Sequence, residues 1–152
     1  MKKFRFSLQT VHNVRELKRD NAERDLVAAG VELDEAKAHL EEVLSLRQKA
    51  VNQYCDLHQS SQIEATTVVM HTNYIGSLME LERLARHSIA RNERHVASKR
   101  EVLIEASRDS ETTANLRDRQ FERHVLETAR KEQLLLDEMA VLAVARHRSS
   151  NS

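Results

Sequence analysis

Asp56-Leu57-His58-Gln59-Ser60-Ser61-Gln62 decides the fold, because it is the longest stretch of low apolar content ahead of the C-terminal tail. Ser61 followed three residues later by Glu64 forms a capping box, the signature of a helix start. A turn at about residues 57–61 is therefore predicted, with a helix restarting near Gln62. The remaining 152-residue chain offers almost nothing else that could interrupt a helix, with no proline and two glycines. Those two residues break helices and build turns. The reading is all-α, a long antiparallel two-helix coiled-coil hairpin forming a single domain over residues 1–152. Helix 1 is expected over about 5–56, helix 2 over about 62–147, and a frayed tail over 148–152. At 1.5 Å per residue such arms make a rod roughly 80–120 Å long.

Outward from the break, apolar residues step by threes and fours. Leu33, Ala36, Leu40, Val43, Arg47, Ala50, Tyr54 and Leu57 form a heptad seam with Arg47 as its polar break. Upstream, Leu8, Val11, Val14, Leu17, Ala22 and Leu26 continue a stripe of looser phase that contains Gly30, a local weak point. In helix 2 the seam runs Ile75, Leu78, Glu82, Ala85, Ile89, Asn92, Val96, Lys99, Leu103 and Ala106. Polar seam residues such as Glu82, Asn92 and Lys99 lower stability and can fix register. Asp109 to Thr113 reads as the weakest stretch, where the helix is expected to bend or shift phase. Phe121, Val125, Leu135, Met139 and Leu142 resume the seam. At the start, Ser7 as N-cap with Phe6 and Val11 as a hydrophobic staple would fix the entry into helix 1. Asp20/Arg24, Glu82/Arg86 and Glu127/Lys131 lie four apart and lend modest helix support.

Composition narrows the function classes. Charged residues make up 32% and aromatics 3%, as in a coiled coil rather than a thick-cored globule. The 24 basic and 24 acidic residues cancel, which argues against a general nucleic-acid or membrane-surface binder. Locally the balance tilts. Met1–Arg19 carries six basic residues against Glu16, and Arg83–Arg100 six against Glu93. Each is either a solvated face or a docking face for acidic loops of a partner. Cys55 is alone and cannot form an internal disulfide, so a reducing intracellular setting is expected. Lys2-Lys3 lacks the apolar run of a secretory leader, and no segment approaches 18 apolar residues.

Chemistry is sparse. The eight histidines are dispersed, none forms His-x-x-x-His, and no Glu-x-x-His pair suggests a di-iron bundle. One cysteine excludes a thiolate zinc site. No glycine-rich phosphate loop or nucleophile constellation stands out. No catalytic, cofactor-binding or metal residues are expected, and the chain reads as a non-enzyme.

The opening Phe4-Arg5-Phe6-Ser7-Leu8-Gln9-Thr10-Val11-His12-Asn13-Val14-Arg15 resembles the start of the flagellar export protein FliJ family, Phe-x-Leu-x-x-Val-Leu-x-x-Arg. Phe6, Leu8, Val11 and Arg15 match, and His12 replaces the usual apolar residue. The closing Arg130-Lys131-Glu132-Gln133-Leu134-Leu135-Leu136-Asp137-Glu138-Met139-Ala140 resembles the family's Leu-Asp-Glu-x-Ala stretch. The resemblance implies a stalk of the flagellar type III export machine, like the central coiled coil of rotary ATPases. Such a stalk inserts its termini into the ring of the export ATPase FliI, contacts the export gate FlhA and binds export chaperones. It implies ATPase-ring contacts at Phe6, Leu8, Val11, Arg15, Lys18, Leu135, Asp137, Glu138 and Met139. A Phe-Ile-x-x-Leu gate motif finds its match in Tyr74-Ile75-Gly76-Ser77-Leu78, with Tyr for Phe, and implies gate contacts at Tyr74 and Leu78. Gly76 and Ser77 also leave a shallow dip that a partner could approach. The implied location is the cytoplasmic face of the inner membrane at the flagellar export apparatus, held there through partners only. A generic structural tether or spacer is the alternative. A helical RNA binder using Arg83–Arg100 lacks the stacking aromatics usual for single strands.

Overall fold

The computed structural model describes residues 3–59 and 64–150, excepting the side chains of 147–150. Two long helices pack against each other as a hairpin, with no strand among the described residues. They are α1, Gln9–His58, and α2, Ala65–Ser150. Ser60 and Ser61 of the expected turn, Ser61 being the capping-box serine, lie outside the described residues, but Leu57 and His58 still belong to α1, so helix 1 runs past the expected 56, and α2 starts at Ala65 rather than near 62. Glu64 stands just before α2, and its carbonyl accepts from the amides of Thr67 and Val68 at 3.0 and 3.4 Å.

The start of α1 differs from the expected residue 5. Lys3–Phe6 lead in without helix, a turn closes from the Gln9 amide to the Phe6 carbonyl at 3.2 Å, and the helix begins at Gln9. The reason is aromatic. The lead-in lets Phe4 meet Phe121 edge-on at 5.3 Å and lets Phe6 fold back to His12 at 6.5 Å. The buried staple-like contact thus joins Phe6 to His12, while Val11 remains exposed. At the far end α2 continues to Ser150, past the expected 147, as a chain without glycine or proline there allows.

The contacts divide the chain into two compact units, residues 20–105 and residues 1–19 with 106–152. In the first, every seam position anticipated from Leu33 to Leu57 and from Ile75 to Leu103 is at least partly buried, and Val43, Ala50, Leu78 and Ala85 form its driest part. Each polar interruption finds a partner on the facing helix. Arg47 bonds Glu82, Asn92 Nδ2 donates to the Glu32 carbonyl at 3.1 Å, and Lys99 Nζ meets Asp25 at 2.8 Å. Residue numbers rise in α1 as their partners fall in α2, so the helices run antiparallel. Glu82 also takes Arg86 at 2.8 Å, the i,i+4 pair expected from sequence. Its carboxylate, with the side chain only 13% exposed, is held by two guanidinium groups.

In the second unit the burial pattern departs from the apolar reading. Leu8, Val11, Val14 and Leu17 are exposed, while His12 is 3% exposed and Arg15 and Arg19 are half-buried. Ser110 and Thr113, in the stretch read as weak, are buried. The buried and half-buried positions Ala106, Ser110, Thr113, Arg117, Gln120 and His124 keep the three-four step, so no phase shift occurs. Small hydroxyl side chains take these places because their oxygens back-bond to the helix, as Thr113 does to the Ser110 carbonyl at 2.9 Å. Phe121, Val125, Leu135, Met139 and Leu142 are exposed rather than seam residues.

Candidate functional site

Two regions hold the residues singled out from sequence. The first lies wholly in the unit of residues 1–19 and 106–152. Its floor is a polar layer. His12 Nδ1 lies 3.2 Å from Thr113 Oγ1 and Nε2 lies 3.5 Å from a Glu16 oxygen, so both ring nitrogens of a buried imidazole have neighbours. Arg15 donates to the Asp109 carbonyl at 3.1 Å, which pins its stem against α2. Beside this layer opens a groove of about 410 Å³ lined by Leu8, Val11, Arg15, Thr112, Thr113, Asn115, Leu116 and Arg119. Its lining carries two guanidinium groups and no carboxylate. Leu8, Val11 and Arg15 therefore come together, and Lys18 is exposed further along α1. Phe6 is buried, so it acts by supporting the entry to α1.

Beyond Thr128 the seam ends. Every described residue from Ala129 to Arg146 is exposed. In Leu134–Ala145, ten of twelve residues are apolar, and Asp137 and Glu138 are the exceptions. At 100° per residue these side chains cover every side of the helix. Leu134, Leu135, Leu136, Met139, Val141, Leu142 and Val144 are 55–67% exposed. A helix apolar on all sides belongs in an enclosed setting. Twelve residues are too few to cross a bilayer, and none of the described helices is long and apolar enough to do so. The sequence reading singled out Leu135, Asp137, Glu138 and Met139 but placed Leu135, Met139 and Leu142 on a one-sided seam. The clue was the loss of polar residues at the b, c and f positions of the heptad.

The second region is Tyr74–Leu78 in the unit of residues 20–105. Tyr74 is exposed, whereas Leu78 is 2% exposed and packs inside the hairpin. Gly76 has open space where a Cβ would stand. On the next turn Arg83 Nε donates to Glu80 at 2.9 Å, which holds the Glu80 carboxyl below its ordinary range. Lys99 likewise lowers Asp25 through their hydrogen bond. Among the described residues no group of three or more His, Cys, Asp or Glu side chains could hold a metal.

A family model for the flagellar FliJ protein matches residues 4–149. A solved structure from Chlamydia trachomatis, CT670, described as a YscO homologue, is similar at a TM-score of 0.65 and 19% identity, over 97% of this chain and 99% of that one. At that identity the likeness concerns the fold. No curated protein matches the sequence. With nearly the whole chain matched by one family model, the protein belongs to the flagellar FliJ family and is a component of type III protein export.

Proposed function

We propose that this chain is the stalk of a flagellar export ATPase, seated by its terminal end in the ring of FliI and activating it. The observation that carries the reading is the Leu134–Ala145 segment, apolar on every side of the helix and exposed throughout. A ring lumen encloses a helix from all directions, as such a segment requires, whereas a flat docking face covers only one stripe. Leu8 and Val11 add apolar contact from α1, and Arg15 and Lys18 meet acidic loops of the ring. Asp137 and Glu138 face basic groups of the lumen.

Tyr74 contacts the export gate FlhA, with Gly76 letting that partner approach the backbone and Leu78 holding the local helix in place from beneath. Export chaperones bind the same protein. These contacts hold it at the cytoplasmic face of the inner membrane, in service of flagellar assembly and motility.

The test is ATP hydrolysis by the cognate export ATPase with and without the purified protein. A rise in activity with more assembled rings is expected, and Arg15→Glu combined with Lys18→Glu should weaken ring binding while leaving helicity intact. Undiminished pull-down of the ATPase by that variant overturns the assigned contacts. No change in hydrolysis together with absent binding leaves a generic tether.

A further inference from the structure

One charged run, Arg83–Arg100, lies outside the contacts assigned to the ring and the gate. Its six basic residues divide by partner. Arg83 is held by Glu80, Arg86 by Glu82 and Lys99 by Asp25. Arg91, Arg94 and Arg100 have no carboxylate partner among the described residues. The inward positions of this stretch are Glu82, Ala85, Ile89, Asn92, Val96 and Lys99, all buried or half-buried. At 3.5 residues per turn, the opposite side over 83–98 carries Arg83, Leu84, His87, Arg91 and Arg94, and otherwise only alanine and serine. No carboxylate falls on that side. Glu80 closes one end and Glu101 the other, while Glu93 stands on the flank with Arg86 and Arg100. Ala90 and Ala97, seven apart, keep the surface low enough for another helix to lie close.

α1 has the opposite character at the same level, which the Arg47–Glu82 and Asn92–Glu32 contacts set. Its outward side over 31–45 carries Asp34, Glu35, Glu41 and Glu42, all exposed, and no basic residue. The unit of residues 20–105 is thus polarised across its width, anionic on the outer side of α1 and cationic on the outer side of α2. An acidic partner is drawn to one side only. The extent of the cationic side selects the kind of partner. It spans about 15 residues, roughly 22 Å along the helix. A nucleic-acid strand or a lipid surface continues past both ends and meets Glu80 and Glu101. Arg83–Arg100 also holds no Phe, Tyr or Trp on which a base could stack. A single helix fits between the two ends.

We propose that the outer side of α2 over 83–98 docks an acidic helix of a partner protein. Two carboxylates of that helix, one turn apart, bond Arg91 and Arg94, and its small and apolar residues lie over Ala90, Ala97 and Leu84. The contact rests on neither the ring nor the gate assignment.

Fluorescence anisotropy with the full chain tests it. The probe is a labelled, alanine-based helical peptide of about 18 residues carrying glutamates three and four apart and one leucine. Binding that weakens with added salt is expected, and the same peptide with glutamine for each glutamate should bind about ten-fold more weakly. Arg91→Glu combined with Arg94→Glu should raise the dissociation constant about ten-fold or more, with helicity by circular dichroism unchanged because both side chains are exposed. Lys37→Glu combined with Lys49→Glu makes the same change of net charge on α1 and should leave binding near wild type. Absence of binding by the wild-type chain overturns the proposal, as does equal weakening by the two double variants. So does an oligonucleotide or a phosphatidylserine vesicle that binds through Arg91 and Arg94 as tightly as the peptide. The ATPase is absent from the experiment, so its result stands apart from that of the hydrolysis assay.

Discussion

Glu82 puts a carboxylate in the middle of an apolar seam, where only its two arginine partners make it tolerable. Deleting one member of a part-buried pair costs more than replacing the pair, since the survivor keeps its desolvation without its partner. Glu82→Ala should lower unfolding free energy by about 1–3 kcal/mol in urea denaturation. Arg47→Leu with Glu82→Leu should recover most of that loss and leave a seam with less defined register. Thr113→Val tests the other polar layer. It keeps the shape but removes the hydroxyl beside His12, for an expected cost of about 1–3 kcal/mol. Two exposed carboxylates make a small contribution to the acid limb of stability. Asp25 and Glu80 titrate below their ordinary values of 3.8 and 4.5, held there by hydrogen bonds from Lys99 and Arg83. Groups lowered by folding bind fewer protons in the folded state, so their contribution is present at neutral pH and disappears as pH falls through the lowered values. Acid titration of Lys99→Ala should show a shallower loss than wild type over that window.

At the scale of the helix, the legible parts are those where an apolar residue and an inward position coincide. Leu33 to Leu57 and Ile75 to Ala106 could be read from spacing, and even the polar breaks Arg47 and Glu82 were visible as breaks. What spacing alone did not supply was that they pair. The N-terminal part of α1 misled because its inward positions are His12, Arg15 and Arg19, while Leu8, Val11, Val14 and Leu17 point outward. Apolar side chains read as core unless something outside the chain is to cover them. Gly76 gives a prediction at this scale. Its site is open, so Gly76→Ala should stabilise α2 by about 0.5–1 kcal/mol. If a partner uses the dip, the same change weakens gate binding, and opposite signs in thermal melting and in gate pull-down reveal that use. Leu135→Asp with Met139→Asp makes the complementary case. Both side chains are exposed, so the melting temperature should barely move while ATPase stimulation is lost.

For the molecule as a whole, the division of labour follows the burial. Both units expose large apolar side chains, but the run over 134–145, exposed on every side of its helix, belongs to the unit of residues 1–19 with 106–152. The family membership was legible from both chain ends, whereas the full girdle of apolar residues over 134–145 emerged only when every side of the helix proved bare. Three cross-helix polar contacts in residues 20–105 have a mechanical consequence as well. Arg47 with Glu82, Asn92 with the Glu32 carbonyl, and Lys99 with Asp25 act as teeth. Sliding one helix past the other by a single turn, about 5.4 Å, would disengage all three, leaving the part-buried Arg47 charge without its carboxylate and Glu82 with Arg86 alone. Leucine and alanine alone would resist such creep far less, because one apolar layer substitutes readily for the next. In shear, this stretch behaves as a keyed shaft. Twist applied to it is passed along rather than relaxed by slippage.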